Sequence, residues 1–186
     1  MKRLLTRFFL LLPALLITLS TKAQLNTSET VITLPADGND LHYKINEPNV
    51  RQRRTEYPSI TFKPGDVVEF RAGGCVQTGG SGLTWKRYVM PSGPNSDRFY
   101  HGMVMIPGIM TSVDFLSNHL NGLDATSAWS RKFTIPKDAK FQEPFLVLGY
   151  TDDNYDDNGY WGHDNGTQQQ CNGVGNAWFE IYIHRK

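Results

Sequence analysis

Five aspartates fall within the seventeen residues YTDDNYDDNGYWGHDNG, 150 to 166, of a chain with 18 acidic residues in all. Three asparagines, three glycines, His163, Tyr155, Tyr160 and Trp161 share the stretch. Carboxylates this close repel one another unless a cation lies among them. Aspartate, asparagine and glycine together offer what calcium takes, about six to eight oxygens from carboxylates, amides and backbone carbonyls. Glycine lets those carbonyls turn inward. Asn154, Asp156, Asn158 and Gly159 stand at the first, third, fifth and sixth places of an EF-hand spacing, but the twelfth is Asn165, not the bidentate glutamate. The EF-hand is therefore rejected and the oxygen-rich chemistry kept.

Two other readings of the window stand beside metal binding. Aspartate and asparagine can hydrogen-bond their own backbone and make a hydrated loop with no ligand at all. Asp152 or Asp164 with His163 could do acid–base work, as paired carboxylates do on glycosides. The glutamates, Glu69, Glu143 and Glu180 among them, are scattered without pairing, and G-x-S-x-G and H-E-x-x-H are both absent. Neutral His163 can hydrogen-bond a sugar hydroxyl. Tyr155, Tyr160 and Trp161 offer flat faces to a sugar ring, or else pin the loop to the fold. His42, His101, His119 and His184 show no metal-ligand spacing, so zinc or iron is not expected.

The elements that must hold this window are short strands. TVITL (30–34), LHYKI (41–45), SITF (59–62), DVVEFRA (66–72), WKRYV (85–89), GMVMI (102–106), RKFTI (131–135), PFLVLGY (144–150) and AWFEIYIH (177–184) are separated by Pro-Gly, Gly-Gly, Asn-Gly and Pro-Asn turns. SVDFLSNHL (112–120) is the one helical candidate. The pattern predicts an all-β fold, an antiparallel β-sandwich that is jelly-roll-like and a single domain. AWFEIYIH should bury Phe179, Ile181 and Ile183 on one face, with Trp178, Glu180 and Tyr182 on the other. PFLVLGY, continuously apolar, reads as a central strand and delivers the chain into the acidic window.

Residues 1–23 read as a signal peptide: Lys2, Arg3 and Arg7, then FFLLLPALLITL, then small residues before a cleavage site. The run is too short for a membrane span. The expected location is secreted or periplasmic, with no membrane span in the mature chain. Cleavage leaves 15 basic and 18 acidic residues, a net charge of −3, so nucleic acid is not an expected partner. RQRR (51–54) reads as a solvated loop edge. In an exported chain Cys75 and Cys171 read most simply as one disulfide.

TFKPGDVVEFRAGGCVQTGG (61–80), GMVMIPG (102–108) and LGYTDD…GHDNG leading into AWFEIYI come in an order that resembles the PA-I-like, calcium-dependent galactophilic bacterial lectins, a galactose-binding-like jelly-roll sandwich. The likeness runs over residues 59–183. It implies one calcium held by the loop before the last strand, with Thr78 giving a backbone carbonyl and Asp152, Asp164 and Asn165 giving side chains. Asp153, Asp156 and Asp157 have no counterpart and stand as extra ligands or those of a second ion. The His-Pro-Asp-Gln segment that contacts sugar in that family is absent, where this chain reads PNSDRFYHG. Residues 24–58, also without counterpart, read as an arm or additional strands, leaving 59–186 as the lectin-like sandwich.

The resulting expectation is a secreted, non-enzymatic module whose Ca2+ coordinates hydroxyls of a glycan or other extracellular polyol, with Asp152, Tyr160, Trp161 and His163 at the ligand. Its rivals are a calcium-stabilised structural or envelope-interaction domain and a glycan-processing hydrolase. An oligomer is compatible with any of them.

Overall fold

The structure is a computed structural model and describes residues 30–79, 82–120 and 128–186. Residues 1–23, where a signal peptide is expected, lie outside them. Twelve strands are formed: β1 Thr30–Leu34, β2 Leu41–Asn46, β3 Thr55–Thr61, β4 Val67–Gly73, β5 Cys75–Thr78, β6 Trp85–Arg87, β7 Gly102–Met105, β8 Asp114–Phe115, β9 Phe133–Thr134, β10 Phe145–Tyr150, β11 Asn158–Gly159 and β12 Trp178–His184. Every pairing between these strands is antiparallel. They make a five-stranded sheet ordered β1-β2-β12-β4-β9, a four-stranded sheet ordered β3-β10-β7-β8 and a small sheet ordered β11-β5-β6.

The two larger sheets close over one core. Phe179, Ile181 and Ile183 of β12 are fully buried with Ile45, Val68 and Phe70 from the same sheet. Tyr57, Val104, Leu146 and Leu148 meet them from the other sheet. Each such side chain taken from water contributes roughly 1.5–3 kcal/mol, which fixes the register of β12, since a one-residue slip would turn all three outward. On its opposite face Glu180 is also buried, where Arg71 Nε reaches it at 3.1 Å and His42 Nε2 at 2.7 Å. Burial alone would push the Glu180 carboxyl up, but these partners outweigh it and hold the group below its ordinary value.

Residues 30–46 build two strands of the large sheet, β2 pairing with β12 along Leu41–Asn46. Pro58 sits inside β3, tolerated because β3 is an edge strand and one side of it owes no ladder hydrogen bonds. The helix expected over 112–120 is not formed. Asp114 and Phe115 pair with Val104 and Met103, and only Leu116–Asn118 makes a 3-10 turn. Strand pairing here overrides the helical spacing of the apolar residues.

Candidate functional site

The acidic window starts from a fixed point. Where β10 ends, Thr151 N–H donates to the His101 carbonyl at 3.0 Å, and Tyr100 N–H donates to the Thr151 carbonyl at 2.6 Å. Asp152 follows, 8 % exposed, and its Oδ1 accepts the N–H groups of Asp153 (2.7 Å) and Asn154 (3.3 Å). That is an Asx turn, which aspartate forms locally without help from other elements. The Tyr155 hydroxyl donates back to the Tyr150 carbonyl at 3.0 Å and closes the turn.

The loop then docks on two neighbours. Asn158 and Gly159 form β11, paired with Thr78 and Gln77 of β5, so the Thr78 backbone lies opposite Asn158. From the other side the segment 48–51 straps the loop down. Asn158 Nδ2 donates to the Val50 carbonyl (2.9 Å), Tyr160 Oη to the Pro48 carbonyl (2.7 Å) and Arg51 Nη2 to the Asp156 carbonyl (2.8 Å). Asn158 is fully buried. With its NH2 committed to Val50, its amide oxygen is turned the other way.

Three buried oxygens in this loop have no hydrogen-bond donor: Asp152 Oδ2, Asp157 Oδ1 and Asn158 Oδ1. Buried polar atoms are normally satisfied, because an unmade hydrogen bond costs about 1–3 kcal/mol. Burial pushes the Asp152 carboxyl from 3.8 up to about 6; the Asp153 carboxyl pushes the same way, and the backbone N–H groups of Asn154 and Asp153 oppose it. Tyr100 looks into the same place. Burial raises its hydroxyl, and the charges of Asp153, Asp152 and Asp157 raise it further. Its backbone lies at φ +72, a strained region for an aromatic residue. Asp152, Asp153 and Asp157 thus all bear on Tyr100, and Asn158 sets this part of the loop, the cup, against β5.

Other residues singled out from the sequence lie around this cup. Asp164 spends its carboxylate on backbone, Oδ2 accepting from Thr84 N–H (3.2 Å) and Oδ1 from Gly166 N–H (2.6 Å). Asn165 is exposed, and its carbonyl accepts from Cys171 N–H at 2.8 Å. Thr78 donates its hydroxyl to the Thr84 carbonyl at 2.6 Å. Tyr160 is turned inward, its ring against the core, and burial pushes its hydroxyl well above the ordinary value. Trp161 is 52 % exposed and lies over Gly159, where a Cβ would come within 1.7 Å of the indole. His163 is exposed at the rim, its ring centroid 4.2 Å from that of buried Trp85. The disulfide Cys75–Cys171 is formed, with Cα atoms 6.0 Å apart, and clamps this lobe to β5.

Among the described residues no three His, Cys, Asp or Glu side chains converge as a metal-ligand group. The donor set fitting the cup is a mixed oxygen set: two carboxylates, one amide oxygen and nearby backbone carbonyls. It suits calcium, which accepts amide and carbonyl oxygens, and not the nitrogen and sulfur chemistry of zinc. Sequence reasoning passed over Asn158 and Tyr100. Asn158 was visible only as the fifth place of a rejected spacing, and Tyr100 carried no signal.

No protein-family model matches the chain, and no curated protein matches it. Among solved structures the chain is similar to one titled "EclA N-terminal domain; PllA-like lectin", with a TM-score of 0.39 and 14 % sequence identity. The match covers 78 % of this chain and 95 % of that one. Among the described residues no helix is long and apolar enough to cross a membrane.

Proposed function

We propose that the 152–158 loop is a calcium site and that the chain is an exported carbohydrate-binding module built on it. The observation behind this reading is the trio of buried donorless oxygens within seven residues of one loop, Asp152 Oδ2, Asp157 Oδ1 and Asn158 Oδ1. Asp152, Asp157 and Asn158 would hold the ion, with the Thr78 carbonyl across the β5–β11 pair and the exposed Asp153 beside it. A hard cation there supplies open positions that paired sugar hydroxyls can fill. Asp164 and Asn165, implied as ligands by the sequence resemblance, serve the fold of the outer lobe in this reading.

The chain's own groups do the rest. The strap at 48–51 and the disulfide hold the cup rigid, so little ordering cost falls on ligand binding. Trp161 gives the flat exposed face on which a sugar ring packs, and His163 and Tyr100 give polar hydrogens at its edge.

Calorimetric titration of calcium into chelator-stripped protein tests the metal, and a glycan array run with calcium and again with chelator tests the sugar. Saturable calcium binding lost in Asp152→Ala, with glycan binding lost alongside it, is the expected result. Calcium binding with no glycan retained on the array would favour a calcium-stabilised structural domain. Glycan binding unchanged in Asp152→Ala with chelator present would refute the calcium-anchored site.

A further inference from the structure

The end of the sandwich remote from the acidic cup holds the opposite charge. β12 runs from Trp178, opposite Gly73, to His184, opposite Val67. Its seven residues separate the two ends by roughly 20 Å at about 3.4 Å per residue. At the far end the β3–β4 turn, Lys137 and the residues after β12 enclose a cavity of about 570 Å³. Four cations line it: Lys63, Lys137, Arg185 and Lys186. Against them stand Asp66 and Asp40, which takes the Arg185 N–H at 2.8 Å, so two positive charges remain in excess. This concentration occurs in a chain that carries −3 beyond its first 23 residues.

The groups differ in how far they are committed. Asp66 is buried, and its Oδ2 accepts Lys63 N–H at 2.8 Å and faces Arg185 Nε at 3.5 Å. Arg185 also gives Nη2 to the Thr61 carbonyl at 2.7 Å, so its fork is held in place and largely used. The Lys63, Lys137 and Lys186 side chains have no carboxylate within ion-pair distance among the described residues. Ammonium groups of this kind are point charges that gather around an anion with several oxygens, whereas a planar carboxylate is recognised best by a free guanidinium fork. The volume lies within the range of small-molecule sites.

We propose that this basin is a second ligand site that takes a phosphate-class oxyanion. The anion belongs to a free phosphate compound or to a lipid headgroup, and the cavity chemistry is the same for either. The site does not rest on the calcium reading, and it is tested with chelator present throughout.

The experiment titrates inorganic pyrophosphate into the protein while ionic strength is held constant, reading the backbone amides of Gly65, Asp66 and Arg185 by NMR. A parallel arm measures co-sedimentation with phosphatidylglycerol vesicles against phosphatidylcholine vesicles. Lys63 and Lys137 are exposed, so the charge-reversed variant K63E/K137E keeps the core, and its remaining amide spectrum verifies that. Saturable shifts confined to the basin, weakened about tenfold or more in K63E/K137E, are expected. Vesicle binding that K63E/K137E abolishes, without a pyrophosphate response, assigns the anion to a lipid headgroup. Absence of both the pyrophosphate shifts and selective phosphatidylglycerol binding, or equal responses from K63E/K137E, would overturn the site.

Discussion

Replacing Asp152 with asparagine should make the calcium-free protein more stable and the calcium-loaded protein no better. The Asp152 carboxyl is held at about 6 against 3.8, so the fold prefers it protonated. For an acid raised in this direction, stability is full below about pH 4 and is lost as pH rises through 6. At pH 7 the deficit amounts to about 2–3 kcal/mol. Asparagine removes the charge and keeps an oxygen for the Asp153 and Asn154 N–H groups. Thermal denaturation in chelator at pH 7 should then show D152N melting roughly 5–10 °C above wild type. Lowering the pH from 7 to about 5 should narrow that gap by roughly half from the wild-type side, and it should close only near pH 4. Calcium at about a hundred times its dissociation constant should raise wild type by about 2.7 kcal/mol and leave D152N unmoved. A D152N protein that melts at or below wild type in chelator, yet still gains from calcium, would refute the reasoning.

The two aromatics of the loop should separate cleanly. Trp161→Ala should leave the melting temperature nearly unchanged and abolish glycan binding on the array, whereas Tyr160→Phe should cost about 1 kcal/mol by losing the Pro48 hydrogen bond and leave glycan binding intact. Gly159→Ala sets a methyl against the Trp161 ring, so indole fluorescence should change and glycan affinity fall while calorimetry still finds calcium binding. Serine at Cys75 and Cys171 opens a link across 96 residues and should cost about 2–5 kcal/mol in denaturant unfolding, with weaker calcium binding as β5 loosens. Glu180→Gln should remove the stability that wild type loses as pH falls below about 4.5, since the native carboxyl is held low by Arg71 and His42 against its burial.

Strands with a long alternating or continuous apolar run were legible in the sequence. AWFEIYIH gives β12 with Phe179, Ile181 and Ile183 inside, and PFLVLGY gives the central β10. The strands passed over, β5, β8 and β11, have two to four residues and no pattern of their own. They exist because neighbouring strands, and for β11 the distant β5, supply their hydrogen bonds. The site divides in the same way. Asp152 lies immediately downstream of a readable strand, and its Asx turn is local. Asn158 gains its role from the Val50 carbonyl, 108 residues earlier, which takes its NH2 and leaves its amide oxygen without a donor. Asp164 has the same side chain as Asp152 and an equally polar neighbourhood in sequence, yet Thr84 and Gly166 N–H groups satisfy it. Residue type cannot distinguish a satisfied carboxylate from a donorless one, because the difference is made by residues remote in sequence. RQRR is exposed at its arginines as expected, while Arg51 also reaches the acidic loop to hold Asp156.

The most direct measurement is a diffraction structure of crystals grown with calcium and a glycan drawn from the array. The account predicts one ion bound by Asp152, Asp157, Asn158 and a β5 carbonyl, with sugar hydroxyls completing a shell of about six to eight oxygens at about 2.3–2.6 Å. Water in that cup, or an ion at Asp164 and Asn165 instead, would contradict it.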